Sequence, residues 1–257
     1  MFHSRNIDHS KLFADEQVTS EERDRRMRDI FRRLAPYYAQ LLDVQSLGLH
    51  RYWRWVFVRM MAVQSGHRIL DVAGGCGEMA RRLATQEHPV VVLEESMEMM
   101  QTGRPECPLS VSWVCGQARA LPFPDASMDK VVCAFGMRNV TFVEPALKEI
   151  LRVLKPGGRF YCLEVSLPWK PIRPLYRVYC RYLVPLLGRW ITKIPEIFDY
   201  MSASILEFPD KDACKQLLEK MGFSNVYFRC LTLGVVCIHV GTKSLTDNDN
   251  LQKELSG

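Results

Sequence analysis

The sequence predicts an α/β domain in which helices cover both faces of a mainly parallel sheet. Three observations carry that expectation. Short apolar runs alternate with segments of helical period from Arg68 to Val165. One run, Val90 to Leu93, has no polar position, as a strand buried on both faces requires. Another run ends in a glycine turn, Gly74-Gly75-Cys76-Gly77, that opens a helix.

The elements follow in order. Residues 1–17 read as a disordered tail and 244–257 as a flexible one, with a single domain over 18–243. Ser20 to Leu42 reads as a charged helical region that Pro36 kinks or splits. A second helix is expected from His50 to Ala62, with Trp53, Val56, Phe57 and Met60 at helical spacing. These two helical regions form an N-terminal cap. Strands are expected at Arg68–Ala73, Val90–Leu93, Leu109–Val114, Lys130–Phe135 and Arg159–Val165. Helices are expected between them at Glu78–Thr85, Glu95–Thr102 and Val143–Leu154. Asp210 to Met221 reads as a further helix stopped by Gly222. Val226–Cys230 and Val235–Val240 read as a closing antiparallel pair.

Composition narrows the class. The chain has 257 residues and a formal net charge of +5. That length suits one large domain, and the charge favours an acidic partner such as anionic lipid. No lysine-rich tract or recognition motif points to nucleic acid. The nine cysteines form no CxxC, and Cys76, Cys115, Cys133, Cys162 and Cys237 lie in glycine turns or apolar runs. They read as thiols of a reducing compartment, and no metal centre is expected. The polar N-terminus has no signal-peptide pattern. Leu175 to Ile191 is too interrupted by Arg177, Arg181, Pro185 and Arg189 to span a bilayer, but it can lie on one.

The glycine turn is the strongest local signal. A strand that ends in such a turn lets a ligand approach the backbone and offers free N–H groups at a helix N-terminus. Read from Gly75 it runs Gly-Cys-Gly-Glu-Met-Ala, which spacing alone does not separate from a dinucleotide turn. The acid Asp71, however, precedes the turn at the strand's end. A carboxylate there suits the ammonium group of an amino acid, hence the methionine end of S-adenosylmethionine, better than a pyrophosphate. Asp71, Ala73, Gly74, Gly75 and Cys76 are therefore expected to bind cofactor. Glu94, ending the second strand, is placed to accept from two ribose hydroxyls, although an acid there also suits a helix N-terminus.

These residues belong to longer stretches with a recognisable pattern. Arg68-Ile-Leu-Asp-Val-Ala-Gly-Gly-Cys-Gly-Glu, Ala120-Leu-Pro-Phe-Pro-Asp, Phe135-Gly-Met-Arg-Asn-Val-Thr and Arg152-Val-Leu-Lys-Pro-Gly-Gly-Arg resemble the ubiquinone/menaquinone biosynthesis C-methyltransferases. Ser46-Leu-Gly-Leu-His-Arg-Tyr-Trp, Phe208-Pro-Asp and Leu233-Gly-Val-Val extend the likeness, which covers Phe31 to Lys243. The resemblance implies a Rossmann-like class I methyltransferase fold with a seven-stranded sheet. It implies S-adenosylmethionine as cofactor and a prenylated quinol as acceptor, either demethylmenaquinol, which is favoured, or a methoxy-polyprenyl-benzoquinol. It places Gln117 and Ala118 on the adenine side and Ala134 where the family carries serine. Cys76 replaces a usual threonine, and Ala39 replaces the acid of a Tyr-Asp pair. For the ribose position an ungapped alignment offers Val92, whereas a shorter turn offers Glu94.

The chemistry then singles out acceptor-side residues. Arg138, just past the fourth strand, can stabilise a phenolate oxygen or position a water that takes the ring proton, but stays protonated itself. Asn139 can orient the same oxygen. Tyr38 and His50 are the N-terminal candidates, His50 as acceptor of the phenolic proton. Each has a plainer reading: a surface ion pair for Arg138, a turn residue for Asn139, packing for Tyr38 and a helix start for His50. Segment 169–193, with Trp169, Tyr176, Tyr179, Tyr182, Trp190, Arg173, Arg177, Arg181, Arg189 and Lys193, is expected to act as a lid lying on the cytoplasmic membrane surface. A homodimer or a quinone-biosynthesis complex is the expected assembly. The rival readings are a methyltransferase with another acceptor and a non-catalytic scaffold of such a complex.

Overall fold

Each apolar run becomes a strand of one sheet. In the computed structural model these are β1 (Ile69–Val72), β2 (Val90–Glu94), β3 (Val111–Cys115), β4 (Met128–Ala134), β5 (Leu154–Val165), β6 (Ser224–Leu231) and β7 (Val236–Thr242). The structure describes residues 12–13, 16–84, 88–186, 198, 200–201, 204–205 and 208–245. The strand order is β3-β2-β1-β4-β5-β7-β6. Strands β1 to β5 pair in parallel, and β7 pairs antiparallel with both β5 and β6. The order reverses between β1 and β4, and the crevice at such a switch point is where open α/β sheets bind ligands.

Alternate side chains of the strands feed two cores. Ile69, Val90, Val92, Val132 and Tyr161 pack on one face with Phe57 and Met61 of α3 (Leu49–Met61). Leu70, Val72, Leu93, Val131 and Phe160 pack on the other with Leu147 and Ile150 of α6 (Val143–Val153). Truncating such a residue to alanine costs about 2–5 kcal/mol. Two further helices sit between strands, α4 (Glu78–Leu83) and α5 (Met97–Gly103), and α8 (Lys211–Lys220) precedes β6.

The N-terminal cap divides where proline requires it. Helix α1 (Ser20–Leu34) starts at Thr19, whose hydroxyl accepts from Glu22 N at 3.1 Å. A 3₁₀ turn over Ala35–Tyr37 holds Pro36 in its first turn, and α2 (Tyr38–Ser46) follows. Met27, Ile30, Leu34 and Leu41 of the cap pack against Val184, Phe198, Tyr200 and Met201. Within the segment expected as a tail, Leu12–Phe13 pairs antiparallel with Glu16–Gln17.

Segment 169–193, the expected lid, is described as far as Leu186. A 3₁₀ turn over Lys170–Ile172 leads into α7 (Arg173–Val178), then a π-helical turn over Tyr179–Leu183. Residues 187–193, with Arg189, Trp190 and Lys193, lie outside the described residues. No helix of the described residues is long and apolar enough to cross a membrane.

One cysteine expectation is corrected. Cys237 is not a free thiol but is disulfide-bonded to Cys230. The β6–β7 register sets the two directly opposite, with Cα atoms 4.1 Å apart, and no CxxC spacing announces that. Cys76, Cys133, Cys162 and Cys180 are buried thiols.

Candidate active site

A cleft of about 870 Å³ opens over the carboxyl ends of β1, β2 and β4. Its floor comes from strand ends, and α1 contributes Asp24, Met27, Arg28 and Phe31. Ala73, Gly75, Glu94, Gln117, Ala118, Asn139 and Tyr38 all line it. Two loop conformations make room. Ala73 and Phe135 both adopt left-handed backbone, with φ of 53° and 59°, directly after β1 and β4. A Cβ on Gly136 would lie 2.8 Å from the Ala73 Cβ, so these two loops are pressed together. Gly75 and Gly77, at φ 58° and 75°, are the turn residues whose conformation suits glycine.

Asp71 is 1 % exposed, and neither carboxylate oxygen has a hydrogen-bond partner among the described residues. Burial pushes its pKa up to about 7, opposed by the Ala80 backbone amide and by the Arg54 charge. Glu94 accepts from Gly75 N and Ser96 N, each at 2.9 Å. Burial raises its pKa as well, while those N–H groups favour the carboxylate. Val92 is fully buried inside β2, opposite Asp71, so Glu94 and not Val92 faces the cleft. Gln117 donates to Glu95 Oε1 at 2.7 Å and accepts from Arg119 at 2.8 Å, and Glu95 is tied to Arg28 of α1 at 2.8 Å. Cys76 is packed against the Met99 sulfur at 3.8 Å, and burial lifts its thiol to about 12, which keeps it protonated. Gly74 sits where a Cβ would strike Val92 and Asp71. Ala134 ends β4 and packs against the core around Phe135 and Val132.

The acceptor-side candidates occupy different positions. The Arg138 side chain is 8 % exposed and ion-paired with Glu164, which is 1 % exposed near the end of β5. Glu164 also accepts from Arg138 N at 3.2 Å and Val165 N at 3.1 Å. Burial works against the Arg138 charge, and the Glu164 carboxylate more than offsets it, holding the pKa above its usual value. Asn139 donates to Phe135 O at 3.3 Å, and its Oδ1 accepts from the Tyr200 hydroxyl at 3.2 Å. Burial lifts the Tyr38 hydroxyl to about 12, against the pull of Arg54 and Arg138. Neither Arg138 nor His50 is among the residues that line the cleft, whereas Tyr38 and Asn139 are. His50 is 6 % exposed, with Nε2 2.8 Å from Asp43 Oδ1 and Nδ1 hydrogen-bonded to Arg54. Burial lowers its pKa, and Asp43 restores part of that.

Several of these residues escape a reading of the sequence alone. Arg23 of α1 is buried and donates to Thr141 Oγ1 at 2.7 Å and to the Arg138 and Asn139 carbonyls. It fixes the turn that carries both candidates. Glu164 and Arg54 are likewise unflagged, although Arg54 stands one helical turn after His50, the spacing at which side chains meet.

Comparison with known proteins matches this architecture. The model of the ubiE/COQ5 methyltransferase family matches residues 18–243. The ubiquinone/menaquinone biosynthesis C-methyltransferase UbiE of Rubrivivax gelatinosus is 41% identical over 235 residues, covering 91% of this chain and 94% of that one. A mitochondrial 2-methoxy-6-polyprenyl-1,4-benzoquinol methylase of Drosophila melanogaster is 36% identical over 253 residues, covering 90% of this chain and 84% of that one. Among solved structures, a possible histamine N-methyltransferase from Thermotoga maritima superposes with a TM-score of 0.63 at 21% identity, covering 85% of this chain and 100% of that one. That last likeness shows the shared fold. The chain belongs to the ubiE/COQ5 methyltransferase family, and is thus a methyltransferase whose cofactor is S-adenosylmethionine.

Proposed function

We propose that this methyltransferase acts on a ring carbon of a prenylated quinol, with demethylmenaquinol as the favoured acceptor and a methoxy-polyprenyl-benzoquinol as the second. The observation that carries this reading is the buried Arg138–Glu164 pair, whose guanidinium Nε has no hydrogen-bond partner among the described residues. A buried N–H of that kind suits an anionic oxygen. Relatives named for both quinone routes support the substrate class, and the more similar of the two cited carries both routes in its name.

The site suits the cofactor. Asp71, buried beneath the lining residues Ala73 and Gly75, offers two unpartnered carboxylate oxygens to an ammonium group, and Glu94, which lines the cleft, keeps lone pairs for ribose hydroxyls. S-adenosylmethionine supplies an electrophilic methyl group when bound. The chain's own residues do the rest. The phenolic proton passes to solvent water. Arg138 remains a cation and stabilises the phenolate oxygen so formed, which raises electron density at the neighbouring ring carbon. With Asn139 it positions the water that takes the ring proton, and the product phenolate takes a proton back from water. Tyr38, protonated at neutral pH, donates rather than accepts. Preorganised donors of this kind contribute about 3–4 kcal/mol each.

The acceptor's tail is proposed to stay in lipid, with the lid on the cytoplasmic membrane face. Trp169, Leu175, Val178, Tyr182 and Leu186 are exposed apolar residues there, beside exposed Arg177 and Arg181.

The test is methyl transfer from labelled S-adenosylmethionine to reduced demethylmenaquinol and to the reduced demethyl-benzoquinol in detergent. Labelled quinol is expected, and the ratio of the two products assigns the route. Cofactor binding without either product refutes the quinol reading.

A further inference from the structure

Two buried guanidinium groups lie near the Phe135 ring. The Arg54 Cζ lies 5.3 Å from its ring centroid and the Arg138 Cζ 5.8 Å. The two arginines come from separate elements, one from α3 and one from the turn after β4. Arg54 is 1 % exposed, and the Arg138 side chain 8 %. In both, Nε is buried and has no hydrogen-bond partner among the described residues. An unpaired buried N–H on a charged group is costly, so two of them around one aromatic ring call for two acceptor atoms. Phe135 itself lines the cleft, so both guanidinium groups stand directly behind its wall, although neither arginine is among the lining residues.

Arg54 is also held in place. Its Nη1 donates to His50 Nδ1, so the His50 proton sits on Nε2 and is donated to Asp43 Oδ1 at 2.8 Å. Asp43 is in turn clamped by Arg51 at 2.6 Å and 3.0 Å. Both His50 nitrogens are thereby committed, which leaves neither free to take a phenolic proton. The chain Asp43–His50–Arg54 orients a cation.

Resting on the quinol reading above, we propose that Arg54 binds the substrate's second ring oxygen, para to the one at Arg138, with His50 as its positioning residue. A ring with oxygens at both ends satisfies both Nε groups. A monophenol leaves one of them unpaired, and sites built to hydrogen-bond a hydroxyl reject the analogue lacking it strongly. Arg54 is then a specificity residue for 1,4-dihydroxy rings.

The experiment compares two tail-less acceptors, 1,4-dihydroxynaphthalene kept reduced and 1-naphthol, with the full chain and its Arg54→Gln, Arg54→Lys and His50→Gln variants. Cofactor affinity by calorimetry serves as the folding control. In the parent, kcat/KM is expected to favour the diol by about 100-fold, equivalent to about 2.7 kcal/mol. Arg54→Gln is expected to bring that preference below about 10-fold, Arg54→Lys to recover part of it, and His50→Gln to lower it less. A preference that stays constant while both rates fall would show Arg54 to be structural and overturn the proposal. A parent that binds cofactor and methylates the diol without preference would overturn it while leaving the quinol reading intact. A parent that binds cofactor and methylates neither acceptor, nor the prenylated quinols, overturns both.

Discussion

Replacing Asp71 by asparagine should stabilise the cofactor-free protein at alkaline pH while weakening the cofactor. Burial raises the Asp71 pKa from 3.8 to about 7. At about 1.4 kcal/mol per pH unit, the folded state bears a penalty of about 4 kcal/mol once the group ionises. The sign follows from proton counting. Between pH 4 and 7 the folded state keeps a proton that the unfolded state has lost, so stability falls as pH rises through that window and levels off above it. The asparagine side chain would mimic the protonated form at every pH. Parent and variant should therefore unfold alike near pH 4, and the variant should be more stable by up to about 4 kcal/mol at pH 8, roughly 8–16 °C in Tm for a chain of this size. Cofactor binding should weaken by about 10–100-fold, the worth of a hydrogen bond to a charged group. Binding of an ammonium group beside Asp71 also favours its carboxylate, so the parent should release a fraction of a proton near pH 7 and the variant none. Denaturant titrations from pH 4 to 8.5 and calorimetry in buffers of different ionisation enthalpy measure both effects. A stability difference that does not change with pH would refute the account of Asp71 as a buried, unpartnered acid.

Other substitutions test other parts of the site. Arg138→Ala should lower kcat by about 100–1,000-fold with cofactor affinity preserved; it should also cost about 3–5 kcal/mol of stability, because Glu164 is left buried and unpaired. Parent-rate turnover in single-turnover assays would remove Arg138 from the reaction. Arg177→Gln with Arg181→Gln should weaken sedimentation with anionic vesicles by about 2 kcal/mol, near 30-fold, and the difference should shrink in high salt. Reduction of the Cys230–Cys237 disulfide, whose partners are 7 residues apart, should lower stability by about 2–3 kcal/mol in denaturant titrations, and Cys230→Ser should remove the response to reductant.

The strands were legible because a buried parallel strand demands consecutive apolar residues, and Val90 to Leu93 satisfies that with little competition from helical patterns, while Ile69 to Val72 departs from it only at Asp71. The floor of the cleft was legible for a related reason: a glycine turn after a strand and an acid at the next strand's end are local features of the chain. Choosing Glu94 over Val92 needed the register, since only the pairing of Asp71 with Val92 shows which of the two is interior. The acceptor side was harder. Arg138 and Asn139 stand in a distinctive segment, but the carboxylate that holds Arg138 is Glu164, 26 positions on, and nothing along the chain links them. Cys230 and Cys237 look like any two thiols until two strands face each other. His50 was visible as a titratable group, yet its commitment to Asp43 and Arg54 depends on α2 and α3 folding back together.

Helix α1 bears on how the enzyme is made. Its Arg23 reaches the Arg138, Asn139 and Thr141 groups across 115–118 residues, and its Arg28 reaches Glu95 across 67. On the ribosome the helix emerges long before these partners exist. It must wait, with its apolar stripe uncovered, until the fourth strand and the turn behind it have left the exit tunnel. At about 5–20 residues per second that delay is roughly 6–24 seconds. The roof of the cleft is thus made first and seated late, so a newly made chain can hold its central strands before it can hold its cofactor.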